Sequence, residues 1–231
     1  MASGDRRIIL EDGLQLRLRR SARARRMTLR VPRDGSGPVL TLPTATAEAE
    51  GRAFALSRRD WLRAALSRVP APSLAAAGAA LPVEGRALVL TPAPLRAVAV
   101  NGARLLIPQD RAVGATAAAW LRQLAMTRLR AACDGLARDL GRPYRAIVLR
   151  DTRSRWGSCT HDGRLMFNWR LVMAPPAVLH YVAAHEVAHL AHMDHSPRFW
   201  AAVEALMPGH APHRAWLRAE GQGLMQWRFR D

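Results

Sequence analysis

Two prolines, an apolar helix and an abrupt stop mark the part of this sequence that most restricts its fold. Pro175 and Pro176 stand where the first turn of a helix tolerates proline, and "VAAHEVAHLAHMDHSPRFW" over residues 182–200 then sets four histidines and one glutamate among apolar helix formers. Titratable groups on so apolar a helix need a partner or a ligand, because burying them unpaired is costly. His185 and His189 are four apart, so they project from one helix face, one turn above the other, and both imidazoles can reach a single metal ion. Glu186 is turned a sixth to a third of a circle away on the same helix. It is poorly placed to join that pair of ligands and too close to be indifferent to a bound ion. This is the mechanical content of HExxH: two zinc ligands and a carboxylate that takes a proton from metal-bound water.

A catalytic zinc takes a third protein ligand and leaves its fourth position open. His192 lines up in angle with the pair but lies about 10 Å along the axis from His185 if the helix continues. His195 reaches the ion only if the chain turns back. "MDHSPRF" supplies the turn: Met193 and Asp194 form the reversal, and Ser196 and Pro197 read as the N-cap and first position of a new helix bearing Phe199, Trp200 and Val203. The expected ligand set is His185, His189 and His195 around one zinc ion, with Glu186 as catalytic base and His192 at the rim.

The rest of the chain divides by pattern. Leu14, Leu16 and Leu18, then Met27, Leu29 and Val31, alternate with polar residues, which predicts strands with arginines on the wet face. "VLTLP" at 39–43 adds a third strand, and "RRSARARR" reads as a solvated basic turn. One helix is expected over 45–69, with Phe54, Trp61, Leu62, Ala65, Leu66 and Val69 on one stripe, followed by a linker at 70–82. Asn101-Gly102 between apolar runs signals a hairpin with a type I′ turn. From about 111, Leu121, Ala125, Leu129, Ala132, Leu136 and Leu140 recur at helical spacing, with Gly141 as the stop. A boundary is set near 108, separating a β-rich N-terminal module with one helix (1–108) from a domain at 109–231.

Composition bounds the partners. All 35 basic residues are arginine, against 18 acids, giving a net charge of +17 that favours polyanions, so nucleic acid is a conceivable partner through the basic surface. Abundant alanine, arginine, glycine and proline explain the same charge as a compositional habit, and no nucleic-acid recognition module is visible. Cys133 and Cys159 form neither a CxxC pair nor a disulfide framework, and no secretory leader or bilayer-length apolar run is visible. A cytoplasmic protein without a membrane partner is expected.

"RSRWGSC", "RLMFNWRL" and "HEVAHLAHMDHSPRFW" together resemble the YgjP-like metallopeptidases, relatives of the SprT and WLM groups among the zincins. The resemblance spans residues 15–228 and is concentrated from about 150 to 207. It implies an α+β, zincin-like catalytic domain with the HExxH helix packed on a small sheet. It implies the same roles for His185, Glu186, His189 and His195, and a strand at 164–170 beside the helix where an extended substrate adds as a further strand. In "RWGSC", Arg155, Trp156 and Cys159 are candidates for the cleft, with the tryptophan and the cysteine reading as core first, and Asn168 reads as orienting a ligand or capping a backbone group. Tyr181, His210 and His213 are the candidates for stabilising an oxyanion, while His180 points away from the ligand stripe.

The expected activity is hydrolysis of a peptide or protein substrate by a zinc-activated water. Two alternatives stand beside it: a metal-dependent nucleotide phosphohydrolase, for which arginines suit phosphate, and a non-enzymatic nucleic-acid-binding module with a structural metal. The second leaves Glu186 without a task.

Overall fold

The computed structural model describes residues 6–32, 37–67 and 72–229. The chain forms two compact units, divided between Pro72 and Ser73.

The first unit holds strands β1 (Arg6–Ile9), β2 (Gln15–Ser21), β3 (Thr28–Arg30) and β4 (Val39–Pro43), then helices α1 (Glu48–Ser57) and α2 (Arg59–Ser67). The sheet order is β1-β2-β4-β3, with β2 and β4 parallel. Ile8, Leu16, Leu18, Leu40 and Leu42 turn inward and form a core with Ala55 of α1. The register places Arg7 opposite Arg17, Arg17 opposite Val39, and Val39 opposite Arg30, so the period of two does put arginines on the outer face. The single helix expected over 45–69 is two helices, broken at Arg58. The Ser57 hydroxyl donates to the Phe54 carbonyl, a local bond that competes with continuing the helix. Leu62 is buried but Trp61 is exposed, and Val69 lies outside the described residues.

The second unit begins with β5 (Ser73–Leu74), β6 (Ala80–Val83), β7 (Arg86–Ala93), β8 (Ala99–Asn101) and β9 (Arg104–Pro108). The stretch read as a linker is therefore partly strand. The last four form a sheet in the order β6-β7-β9-β8. Asn101 pairs with Arg104, so the hairpin turn is Gly102-Ala103, and only Gly102 has positive φ, at 57°. That pattern is type II′, with glycine at the first central position, in place of the expected type I′. Helix α3 (Val113–Leu140) follows and ends on Gly141 in the left-handed region, φ 69°. Leu121, Ala125, Leu129 and Leu136 on its inner face share one core with Leu81, Leu90, Leu105 and Ile107 of β6–β9. The change from strand to helix pattern near 108 therefore falls inside a continuous core.

Strands β10 (Ala146–Arg150), β11 (Gly157–Cys159) and β12 (Arg164–Asn168) form a second sheet in the order β10-β12-β11. A 3₁₀ turn at Trp169–Met173 leads into α4 (Pro176–Ala188), followed by α5 (Pro197–Leu206), α6 (Ala211–Ala219), α7 (Gly221–Leu224) and β13 (Trp227–Arg228), which pairs with β5. The 3₁₀ turn starts where the Asn168 side chain accepts from the Arg170 backbone N–H. Arg170, buried, donates to Asp151 and to the carbonyls of Leu224 and Trp227, tying the C-terminal segment to the sheet. Helix α4 packs along α3 and against β11. The fold is α+β, and no described helix is long and apolar enough to cross a membrane.

A candidate metal centre on helix α4

Val182, Ala183, Ala184, Val187 and Ala188 bury α4 almost all round, as expected of a helix threaded through a core. Only four polar or charged residues are buried among those described: Asn168, Arg170, Glu186 and His189. The first two are matched by the bonds above. The last two sit on α4 in the HExxH segment.

The helix ends at His189, and Leu190, Ala191 and His192 tighten into a turn that sends the chain back. Asp194 Oδ1 accepts from the Ser196 N–H, Ser196 Oγ accepts from the Phe199 N–H, and Pro197 opens α5. The reversal returns His195 to α4. Ligand-capable atoms of His185, His189 and His195 lie within 4.8 Å of one another. His185 Nε2 is 3.2 Å from His195 Nε2, close to the ~3.3–3.4 Å edge of a tetrahedron with zinc–nitrogen bonds of about 2.0–2.1 Å. His189 Nδ1 donates to the His192 carbonyl at 2.9 Å, which leaves Nε2 with its lone pair for a metal. His192 thus supports the cluster with its backbone. His185 Nδ1 is buried with no hydrogen-bond partner among the described residues, so the outer nitrogen is held in His189 and not in His185. Burial pushes the His185 imidazole down to about 3, with the neighbouring His189 and His195 adding to the shift, and burial also lowers His189. Neutral imidazoles are the ligating form, so the donor set suits a divalent ion.

Glu186 accepts no hydrogen bond from a described residue, and burial pushes its carboxyl up to about 8, against the pull of Arg155. It lies against β11 at Gly157. A Cβ at that position would stand 2.6 Å from Glu186 Cγ and 2.7 Å from Cδ. Gly157 was not singled out in the sequence; glycine inside a short strand is the available signal for such close approach.

The strand nearest α4 is β11, not the 164–170 segment that the family resemblance implied. β12 pairs on both sides, and its two neighbours leave it no edge. β11 is the edge strand on the helix side.

Around the three histidines stands a wall of rings. Tyr181 lies 6.1 Å from His185 between ring centroids and stacks on His210 at 5.6 Å; His210 stacks on Trp200 at 5.9 Å, and Trp200 is 5.7 Å from His185. Glu204 accepts from His210 Nδ1 at 2.8 Å. Tyr181 and His210 are therefore beside the cluster. His213 makes none of these ring contacts, and His180 lines a separate cavity of about 520 Å³ with Arg128 and Glu84. Cys159 is a free thiol that donates to the Thr160 carbonyl and is not among the clustered donors.

The family described as "YgjP-like, metallopeptidase domain" matches residues 25–220. The chain belongs to this family. No curated protein matches it. Among solved structures, the metallopeptidase zymogen abylysin of Pyrococcus abyssi aligns with a TM-score of 0.36 and 19% identity, over 41% of this chain and 93% of that one, a likeness too slight to support an argument. As a YgjP-like metallopeptidase, the chain is expected to use a metal ion and to act on peptide bonds, which agrees with the three-histidine cluster on α4.

Proposed function

We propose that this YgjP-like chain is a zinc-dependent peptidase in which His185, His189 and His195 hold one ion and Glu186 is the general base. The observation that carries the reading is the convergence of three imidazoles, two from α4 and one from the returning loop, on the helix that also bears a buried carboxylate with no hydrogen bond from a described residue. Zinc bound there supplies a Lewis acid for water and for a peptide carbonyl. Glu186 takes a proton from the attacking water on its carboxylate and delivers it to the leaving amine nitrogen. Its burial raises its proton affinity, which suits a group that must both accept and return a proton near neutral pH. The free edge of β11 offers main-chain N–H and C=O groups to an extended substrate alongside α4. All four site residues lie in 109–231, the segment we assign the chemistry, and the free Cys133 and Cys159 suit a reducing, cytoplasmic setting.

Elemental analysis of protein purified without a metal-binding tag tests the site. About one zinc per chain is expected in the native protein and in Glu186→Gln, with strong loss in His195→Ala. Cleavage of an unfolded protein by the native chain and not by Glu186→Gln supports peptidase chemistry. Release of pyrophosphate or phosphate from a nucleoside triphosphate, with unfolded protein left intact, would instead assign a phosphohydrolase.

A further inference from the structure

The rim of the metal centre is basic and lacks acids to match. Arg214, on α6, lays its guanidinium over the Trp200 ring, with Cζ 4.3 Å from the centroid. The same indole lies 5.7 Å from the His185 ring and 6.0 Å from the His195 ring. The guanidinium therefore stands within roughly 10 Å of the ligands, about three residues of extended chain. Its charge is felt at His185 and Tyr181, that of Arg218 at Tyr181, and that of Arg155 at Glu186. Among the described residues none of these three arginines has a carboxylate partner. Two of the acids nearby are already engaged: Glu204 accepts from His210 and from the Gly209 N–H, and Asp194 from the Ser196 N–H. An arginine stacked flat on indole keeps its planar fork of donors in one orientation, with its edge available for two parallel bonds to a carboxylate.

We propose that Arg214, braced on Trp200, is a carboxylate-binding subsite, so that the preferred substrates are peptides bearing a carboxylate within about three residues of the scissile bond. The inference rests on the metallopeptidase reading above and narrows its substrate class. The carboxylate has two sources, an acidic side chain or a free C-terminus, and both present the same planar group to the guanidinium. Arg155 and Arg218 add attraction at longer range, while Arg214 supplies the contact.

Binding to the zinc-loaded full chain, measured by calorimetry, separates these possibilities without relying on turnover. The probes are peptide hydroxamates, whose hydroxamate is directed at the metal. One pair differs only in glutamate against glutamine two positions away; a second pair differs only in a free against an amidated C-terminus. A tenfold or greater preference for the carboxylate member of either pair is expected in the native protein, and the pair that shows it identifies the source. Arg214→Gln should reduce the preference below twofold and Arg214→Lys should restore part of it, while Arg130→Gln on the exposed side of α3 should preserve it. Melting curves of both Arg214 variants check that the fold survives, and the lysine variant carries the test if glutamine disturbs Trp200. Equal binding within both pairs, or a preference that survives Arg214→Gln, overturns the subsite and leaves the peptidase reading intact. Failure of every hydroxamate to bind zinc-loaded protein overturns the peptidase reading and the subsite with it.

Discussion

Substitution of Gly157 by alanine places the first side-chain atom of β11 inside the space occupied by Glu186. The new Cβ would lie 2.6 Å from Glu186 Cγ and 2.7 Å from Cδ, where unstrained carbon pairs sit about 3.5–4.0 Å apart. Something must therefore move by about 1 Å. Glu186 is 5% exposed and lies in the last turn of a helix buried almost all round, so its side chain, and not the helix, is the part that yields. Displacement of a reacting group by about 1 Å costs on the order of 100-fold in rate, and overpacking costs about 1–3 kcal/mol in stability. Gly157→Ala is therefore expected to lower kcat on an unfolded-protein substrate by about 100-fold, change KM by less than about threefold, and retain zinc, since no histidine is touched. Melting should fall by about 2–4 °C for each kcal/mol lost. An alanine variant with half the native activity would refute the argument that β11 must meet Glu186 without a side chain. Loss of zinc together with activity would show that α4 moved as a whole, and would refute the claim that the displacement stops at Glu186.

Other consequences can be checked independently. His192→Ala should bind zinc within about threefold of the native protein, because only the main-chain carbonyl of residue 192 bonds His189; a loss near the 10–100-fold typical of supporting groups would show that the imidazole matters. Both tyrosines are held neutral: burial, then the hydrogen bond to Asp134, pushes Tyr144 up to about 12, and burial raises Tyr181. A folded value above the unfolded one gives stability that is complete below about pH 10 and is lost as pH climbs towards 12. Absorbance at about pH 10.5 should show little tyrosinate in the folded protein and more than half ionisation after unfolding in guanidinium, and equal ionisation in the two states would refute the shift. Burial pushes Cys133 up to about 12 and Cys159 to about 11, so both thiols should react with a thiolate-selective disulfide reagent far more slowly than in unfolded protein near pH 8; rapid labelling of either would contradict that environment. Arg170→Leu leaves the carbonyls of Leu224 and Trp227 without their donor and should cost about 2–4 kcal/mol in urea unfolding, with an unchanged midpoint sinking the idea that Arg170 pins the C-terminal segment.

Local spacing carried most of what the sequence revealed. The interval between His185 and His189 fixes a shared helix face, and Ser196-Pro197 marks the start of α5, so His195 could be brought back to the cluster without knowing the rest of the fold. Alternation in the first unit likewise predicted the inward leucines of β2 and β4. What escaped depends on contacts distant in sequence. Gly157 matters because β11 lies on α4, and Arg214 because α6 returns its guanidinium to Trp200. The strands of β6–β9 look like part of an earlier module because they continue its strand-like pattern, yet their apolar sides enter the core of α3. Type II′ and type I′ turns are both served by Asn-Gly, and only the pairing of Asn101 with Arg104 shows which residues occupy the corner.

The hairpin between β6 and β7 limits how this protein can be shortened. Glu84 N–H donates to the Val172 carbonyl and Gly85 N–H to that of Met173, and a Cβ on Gly85 would come within 3.1 Å of Pro175. The turn therefore clasps the backbone just ahead of α4. A fragment beginning at 109 would keep every metal-ligand candidate and lose the clasp that sets where their helix begins. A fragment beginning at 73 keeps both, and is the shorter piece in which the histidines should still find one another.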